Sequence, residues 1–295
     1  MYRSFSAKAV GLAHLPAEAA IDLAHEGGFQ GVDLLVGDLV KAGSDPRAIR
    51  DRIAERGLIP GAWHLPVDWR GDEPAFLRDL AELPRYAAAA AEIGLLRTGT
   101  AVLVETPQRP ETEEGRAAHL AEVAAMHVRR LGQIARILDD HGIRIGLEVV
   151  GVRSFPTGRG IPFITRLADL DPTLEGIWDE ASNLGILLDA FHLYAADEPV
   201  EAGLARGIGR VAWVHVADLP ADVGPDRDRI IDGDRGLPGE NGAVDVAGFL
   251  RRLKDEGYDG PVTVEPMPRC RSLAGLQPIE VARKVGQALN AAWPT

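Results

Sequence analysis

The sequence predicts an α/β protein built as a single (β/α)8 TIM barrel, and three observations carry that expectation. Eight short apolar runs alternate with eight longer stretches whose apolar residues recur at three- and four-residue spacing. No strand candidate opens a helix with GxGxxG or a phosphate-loop pattern, which argues against an open, nucleotide-binding doubly wound sheet. The 295 residues also suit one barrel, which commonly takes about 250. Strands alternating with helices pair in parallel through right-handed crossovers, and eight such units close the sheet. No linker or low-complexity segment interrupts the pattern, so residues 1–295 are expected to form one domain.

The first strand is expected in SFSAKAVGL, followed by the helical pattern PAEAAIDLAHEGG. GVDLLV is the second strand, and the helix after it opens at Asp45-Pro46, an N-cap followed by proline at the first turn. IPGAWHLP and TGTAVLVET, the third and fourth strands, bracket the helical EPAFLRDLAELPRYAAAAAEIG. A long amphipathic stretch, EEGRAAHLAEVAAMHVRRLGQIARILDDHG, leads to the fifth strand IRIGLEVVG. IPFITRLADL precedes the sixth strand, LGILLDAFHLY, and EPVEAGLARGI precedes the seventh, RVAWVHVADL. DVAGFLRRLKDEGY, the eighth strand PVTVEPM and a last helix PIEVARKVGQALNAAW complete the series. Gly27, Gly57, Gly94, Gly142 and Gly257 each follow a helical pattern, where a left-handed C-cap is expected.

Apolar residues make up 46% and charged residues 26%, the balance of a chain with a large core. A net charge of −12 argues against nucleic-acid and anionic-membrane surfaces, which need clustered Lys and Arg. The single cysteine, Cys270, excludes an internal disulfide and a cysteine-based zinc cage. MYRSFSAKAVGLAHLP contains no long apolar segment with a cleavage site, and no apolar run reaches the ~18 residues of a membrane span. The expectation is a cytoplasmic protein with a small-molecule, carbohydrate-like substrate and no nucleic-acid or membrane partner; homo-oligomerisation is left open.

Active sites of such barrels lie at the C-terminal ends of the strands. Ionisable residues gather there: His64 on the third strand, Glu105 on the fourth, Glu148 on the fifth, Asp189 and His192 on the sixth, His215 and Asp218 on the seventh, and Glu265 on the eighth. A lone Glu or His at a strand end is ordinarily a capping or structural residue. Four consecutive strands that end in Glu148, Asp189, His215 and Glu265 are different, because the groups would converge on the axis, desolvated and mutually repelling, unless a cation joined them. Three carboxylates and one imidazole suit one divalent ion, Mn2+ first, with Mg2+, Co2+ and Fe2+ as alternatives. On this reading the metal offsets the cost of burying Asp189.

The segments GLEVV, LLDAFHLY, WVHVADLP and VTVEP resemble the metal-site strands of the xylose isomerase-like TIM barrels. These include sugar phosphate isomerase/epimerases, ketose 3-epimerases, hydroxypyruvate isomerases, inosose and dehydroshikimate dehydratases, and endonuclease IV. The resemblance covers essentially the whole chain and implies that Glu148, Asp189, His215 and Glu265 bind the metal and that His192 contacts substrate oxygens. LPGENG resembles a PGEG stretch that follows the seventh strand in many members. Ketose 3-epimerases usually place a second acidic residue where Ser154 stands here, which argues against a free-ketohexose 3-epimerase. Endonuclease IV uses extra histidines to hold three metals, whereas here the fourth strand offers Glu105, which argues against an abasic-site nuclease.

The expected chemistry is proton transfer next to a carbonyl, through an enediolate stabilised by the metal, with Glu148 and Glu265 as the acid/base pair of an isomerase or epimerase. The alternative is a dehydratase of a keto-polyol such as an inosose or a dehydroshikimate-like acid, with His192, His64 or Tyr194 protonating the leaving hydroxyl. Substrate contacts are expected from Trp63, His64, Glu105, Arg153, His192, Arg235 and Glu240. The long loop after the seventh strand is read as a lid. Arg159 is a further candidate grip for substrate, whereas Arg227 and Arg229 are expected to pair with nearby Asp226 and Asp228.

Overall fold

The computed structural model describes residues 1–295, apart from the side chains of Asp179 and Glu180. Eight strands close into a barrel in chain order: β1 (Tyr2–Ser6), β2 (Gly31–Leu34), β3 (Ile59–His64), β4 (Arg97–Ala101), β5 (Arg144–Glu148), β6 (Leu184–Asp189), β7 (Val211–Val216) and β8 (Pro261–Val264). Every pairing is parallel, and β8 returns to β1 through Tyr2↔Pro261 and Ser4↔Thr263. The protein is therefore a (β/α)8 barrel, with amphipathic helices burying one face against the outside of the sheet.

Local chemistry starts and stops those helices. Asp45 accepts from the Arg47 amide and Asp72 from the Ala75 amide, each ahead of a helix with proline in its first turn. Thr112 caps the long helix Glu113–Asp139 in the same way. Gly94 ends the helix Glu73–Ile93 at φ +96°, a conformation that an L side chain resists. At the end of the first helix, Ala17–Glu26, the left-handed residue is Gly28 and not Gly27, which stays right-handed.

The strands are shorter than the apolar runs suggest. The run after Ser6 continues as turns, and Val36 begins a helix, Val36–Ala42, that the periodicity does not reveal. Residues 190–194 of LLDAFHLY are helical: Asp189 ends β6 and caps the helix Ala190–Ala196 by accepting from the Phe191 amide at 2.7 Å. An aromatic-rich helix packed on the barrel rim is apolar all round, so it reads like a strand.

Alternation along the strands builds the interior in layers, because residues two apart face the same side. Ala62, Leu187 and Trp213 pack together inside the barrel. Gly99 belongs to this level: a Cβ there would meet Leu187 Cδ1 at 2.6 Å and Trp213 at 3.1 Å. The Trp213 indole donates to Thr263 Oγ1, and Thr263 and Ser4 donate to the buried Asp33 carboxylate. Two residues further along the same strands stand His64, Asp189, His215 and Glu265. The layered core thus sets the depth of the polar groups above it.

Candidate metal centre and active-site cavity

Glu148 ends β5, Asp189 ends β6, His215 is the penultimate residue of β7 and Glu265 directly follows β8. One ligand atom from each of the four lies within 4.8 Å of the others. His215 Nδ1 stands 3.2 Å from Glu265 Oε2 and 3.5 Å from Glu148 Oε1. Its ring packs edge-on against Trp213, with centroids 4.5 Å apart. Both ring nitrogens of His215 and the Oε1 atom of Glu148 are buried without a hydrogen-bond partner. Orphaned acceptors of this kind are costly unless an ion takes them up, and a set of three carboxylates and an imidazole fits a divalent cation. Burial opposes a charge on His215, yet Glu265 and Glu148 hold its imidazole well above the usual histidine range. The cluster thus calls for a positive charge at this point, and a divalent ion would displace the proton that otherwise supplies it.

Arg235 lies against the same cluster and is only 2% exposed. Its Nη1 is 2.9 Å from Asp189 Oδ2 and 3.1 Å from Glu265 Oε2, while Nη2 is 2.6 Å from Asp232 Oδ1 and 3.0 Å from His192 Nε2. The guanidinium also stacks over Phe191 at 4.6 Å. Burial would raise the Asp189 carboxyl, but Arg235 and His192 hold it below the usual carboxylate range. Burial likewise opposes ionisation of Glu265, and His215 with Arg235 outweighs it, leaving that carboxyl far below its ordinary value. The sequence pattern presents Arg235 as a substrate grip and gives no sign of Asp232. The signal was available only in part, because nothing in GDRG tells that the loop after β7 folds its arginine into the barrel mouth.

A cavity of about 330 Å³ adjoins the cluster, bordered by Glu148, His215, Glu265, His64, Lys8 and Arg70. Burial, reinforced by the charge of Lys8, holds His64 down to about 3, so it is neutral at physiological pH. Lys8 and Arg70 were not among the expected residues. They lie in loops just past β1 and β3, outside the strand-end positions that the pattern singled out.

The other expected substrate contacts lie elsewhere. Trp63 alternates with Ala62 and His64, so it faces the outer core; it is fully buried and its indole donates to the Leu95 carbonyl at 3.1 Å. Glu105 accepts from the Thr157 amide and hydroxyl and from the Gly160 amide, fastening the loop after β5. Those bonds, Gly160 foremost, hold its carboxyl below its ordinary value. Arg153 pairs with Asp228 at 2.8 Å and Ser154 donates to the Ile230 carbonyl, so both join the loop after β5 to the loop after β7. Glu240 accepts from the Leu237 amide and the Ser272 hydroxyl. Asp218 accepts four backbone N–H groups, those of Leu219, Asn241, Gly242 and Val244, and shapes the same long loop. Arg229 pairs with Asp226, whereas Arg227 pairs with Asp197 and stacks on Tyr194. Among the described residues no helix is long and apolar enough to cross a membrane.

Known proteins share this architecture. A 3-dehydroshikimate dehydratase of Pseudomonas aeruginosa is 28% identical over 249 residues, which are 81% of this chain but only 34% of that longer protein. A ketose 3-epimerase of Arthrobacter globiformis is 26% identical over 262 residues, covering 85% of this chain and 79% of the relative. The solved structure of a xylose isomerase domain protein from Alicyclobacillus acidocaldarius superposes with a TM-score of 0.77 at 28% identity, covering 98% of this chain and 97% of that one. Relatives thus include both an epimerase and a dehydratase. Residues 21–289 match the model of the xylose isomerase-like TIM barrel, and the chain belongs to that family.

Proposed function

We propose that the protein is a divalent-metal-dependent isomerase or epimerase of a small sugar, sugar derivative or keto-polyol. The observation that carries this reading is the convergence of Glu148, Asp189, His215 and Glu265 around unsatisfied buried acceptors, beside a cavity of small-molecule size. These four side chains would hold the ion. When bound, the ion would polarise a carbonyl and its neighbouring hydroxyl and acidify the carbon between them. Glu148 and Glu265 form the acid/base pair, and the ionised Glu265 takes a proton from that carbon. In epimerisation Glu148 returns one to the opposite face, and in isomerisation Glu265 passes its proton to the adjacent carbon. Arg235 orients Asp189 and Glu265 and keeps both ionised. His192, held by Arg235, stands next to Asp189 and can reach a substrate oxygen bound there. The barrel fold and the small cavity support a compact, carbohydrate-like substrate.

A dehydratase is the second reading, favoured by the P. aeruginosa relative. The same proton abstraction would then expel a β-hydroxyl, with His64 or His192 near the leaving oxygen. Incubating Mn2+-loaded protein with candidate ketones in deuterated water tests both readings. Deuterium at the carbon next to the carbonyl without loss of water supports isomerase or epimerase chemistry, and an ultraviolet-absorbing conjugated enone supports dehydration. Absence of both across neutral and acidic keto-polyols would overturn the proposal.

A further inference from the structure

The cavity beside the cluster holds two cations that none of its carboxylates takes up. Lys8, two residues past β1, and Arg70, in the loop after β3, line the same space as His64, Glu148, His215 and Glu265. Among the described residues, neither forms a salt bridge, and the Lys8 ammonium makes no hydrogen bond. Arg70 donates from Nη1 to the Ala101 carbonyl at 3.1 Å and lies 5.9 Å from the Trp69 ring, so most of its donors are uncommitted. The neighbouring carboxylates face other cations: Glu265 lies 3.1 Å from Arg235 and 3.2 Å from His215, and Glu148 Oε1 lies 3.5 Å from His215, an ion contact without a hydrogen bond. Arg235 is spent on Asp189, Glu265 and Asp232 and has no capacity left for a ligand's charge.

We propose that Lys8 and Arg70 form an anion-binding subsite, so that the substrate handled at the cluster is a small keto-polyol bearing a carboxylate or phosphate. The proposal rests on the reading of the cluster as a metal-assisted proton-transfer site. It moves recognition of a negative group from the loops after β5 and β7 to the β1 and β3 side of the barrel mouth. Both side chains are exposed at the cavity mouth, where water solvates their charges until a ligand enters. A guanidinium fork and an ammonium lining one space match an anionic oxygen pair, whereas a neutral hydroxyl would use neither charge. The cavity volume, about 330 Å³, is at the small end for ligand sites and suits a compact acid.

Titration calorimetry of the Mn2+-loaded protein with two matched pairs tests this without turnover: shikimate against its methyl ester, and glucitol 6-phosphate against glucitol. The anionic member of at least one pair should bind roughly tenfold tighter or better, and the pair that shows it identifies carboxylate or phosphate. Lys8→Met and Arg70→Gln should each erode that preference, Arg153→Gln should retain it, and all three should keep wild-type metal content by elemental analysis. Equal affinities within both pairs, no binding at all, or a preference intact in both Lys8→Met and Arg70→Gln would overturn the subsite. Failure of the proton-transfer reading would show separately, as absence of deuterium incorporation in a protein that still prefers the anion.

Discussion

Arg235 and Asp189 form a 2.9 Å ion pair in which both side chains are almost completely buried. A buried carboxylate is costly alone, and this pair shows that the protein offsets part of that cost with its own arginine before any metal is considered. Removing one partner of such a pair typically costs about 3–5 kcal/mol, because the other charge is left uncompensated. Arg235→Met should therefore destabilise the metal-free protein by about that amount. A saturating divalent ion should recover part of the loss, since it too faces Asp189 and Glu265. Urea unfolding with Mn2+ and with chelator measures both effects, and equal losses in the two conditions would separate Arg235 from the ion site.

Asp189 has two tasks that one substitution can divide. Its Oδ1 caps the helix Ala190–Ala196, and its carboxylate charge belongs to the cluster. Asparagine caps helices about as well as aspartate, and Arg235 keeps Glu265 and Asp232 as partners. Asp189→Asn should therefore remain folded, with a loss of stability from the broken ion pair, while losing tightly bound metal. Circular dichroism and elemental analysis of the dialysed variant would check this. Wild-type metal stoichiometry in a folded Asp189→Asn protein would exclude Asp189 as a ligand.

Glu148→Gln and Glu265→Gln keep side-chain shape but remove a base. Each should lower the rate of solvent-deuterium exchange into substrate by roughly 10²–10⁴-fold. The two variants should differ in which face of the substrate still exchanges, because the carboxylates sit on β5 and β8. Nuclear magnetic resonance of the substrate in deuterated water gives both rate and stereochemistry. Undiminished exchange in either variant would remove that residue from the acid/base pair.

What could be read from the sequence follows from period and position. Strand and helix periodicity made the eight units visible, and the alternation of two fixes which residues share the barrel interior. That is why Glu148, Asp189, His215 and Glu265 fall into one group on pattern alone. The same alternation, applied to β3, would have placed Trp63 outside: Ala62 and His64 face in, so the residue between them cannot. Loops carry no such rule. Arg235 is buried only because the segment after β7 folds back under Asp218, whose four backbone hydrogen bonds join residues 23–26 apart in sequence as well as its neighbour. Lys8 and Arg70 border the cavity for a similar non-local reason. Asp33 was missed because its partners, Ser4, Ala62 and Thr263, come from three other strands.

Glu105 gives a prediction about the rim. Its carboxylate holds the amides of Thr157 and Gly160 at 2.6 Å each, across about fifty residues of sequence. Glu105→Ala should speed hydrogen exchange at those amides and at their neighbours in the loop after β5, with the barrel strands unchanged. It should leave metal content unaltered, since Glu105 lies outside the ligand cluster. Exchange rates equal to wild type would show that the loop is held by its other contacts.

His127 makes stability depend on pH in a predictable direction. It lies wholly buried in the helix Glu113–Asp139, edge-on to Trp69 and close to Phe163, with Nδ1 donating to the Val123 carbonyl at 2.8 Å and Nε2 without a partner. Burial, helped by the nearby Arg130 charge, pushes its pKa down to about 4, against the Val123 bond that favours protonation. The unfolded chain titrates near 6.5, so between about 6.5 and 4 the unfolded state binds a proton that the native state refuses. The stability from keeping His127 neutral is thus complete above pH 6.5 and is lost as pH falls toward 4. Between pH 7.5 and pH 5 the loss from this group should be about 2 kcal/mol, set by the 1.5 pH units spent below the unfolded pKa. His127→Leu should shallow the pH dependence by that amount, whatever its effect on stability at pH 7.5. Urea unfolding of both proteins at the two pH values decides the matter: parallel losses would mean that His127 is already protonated in the folded state.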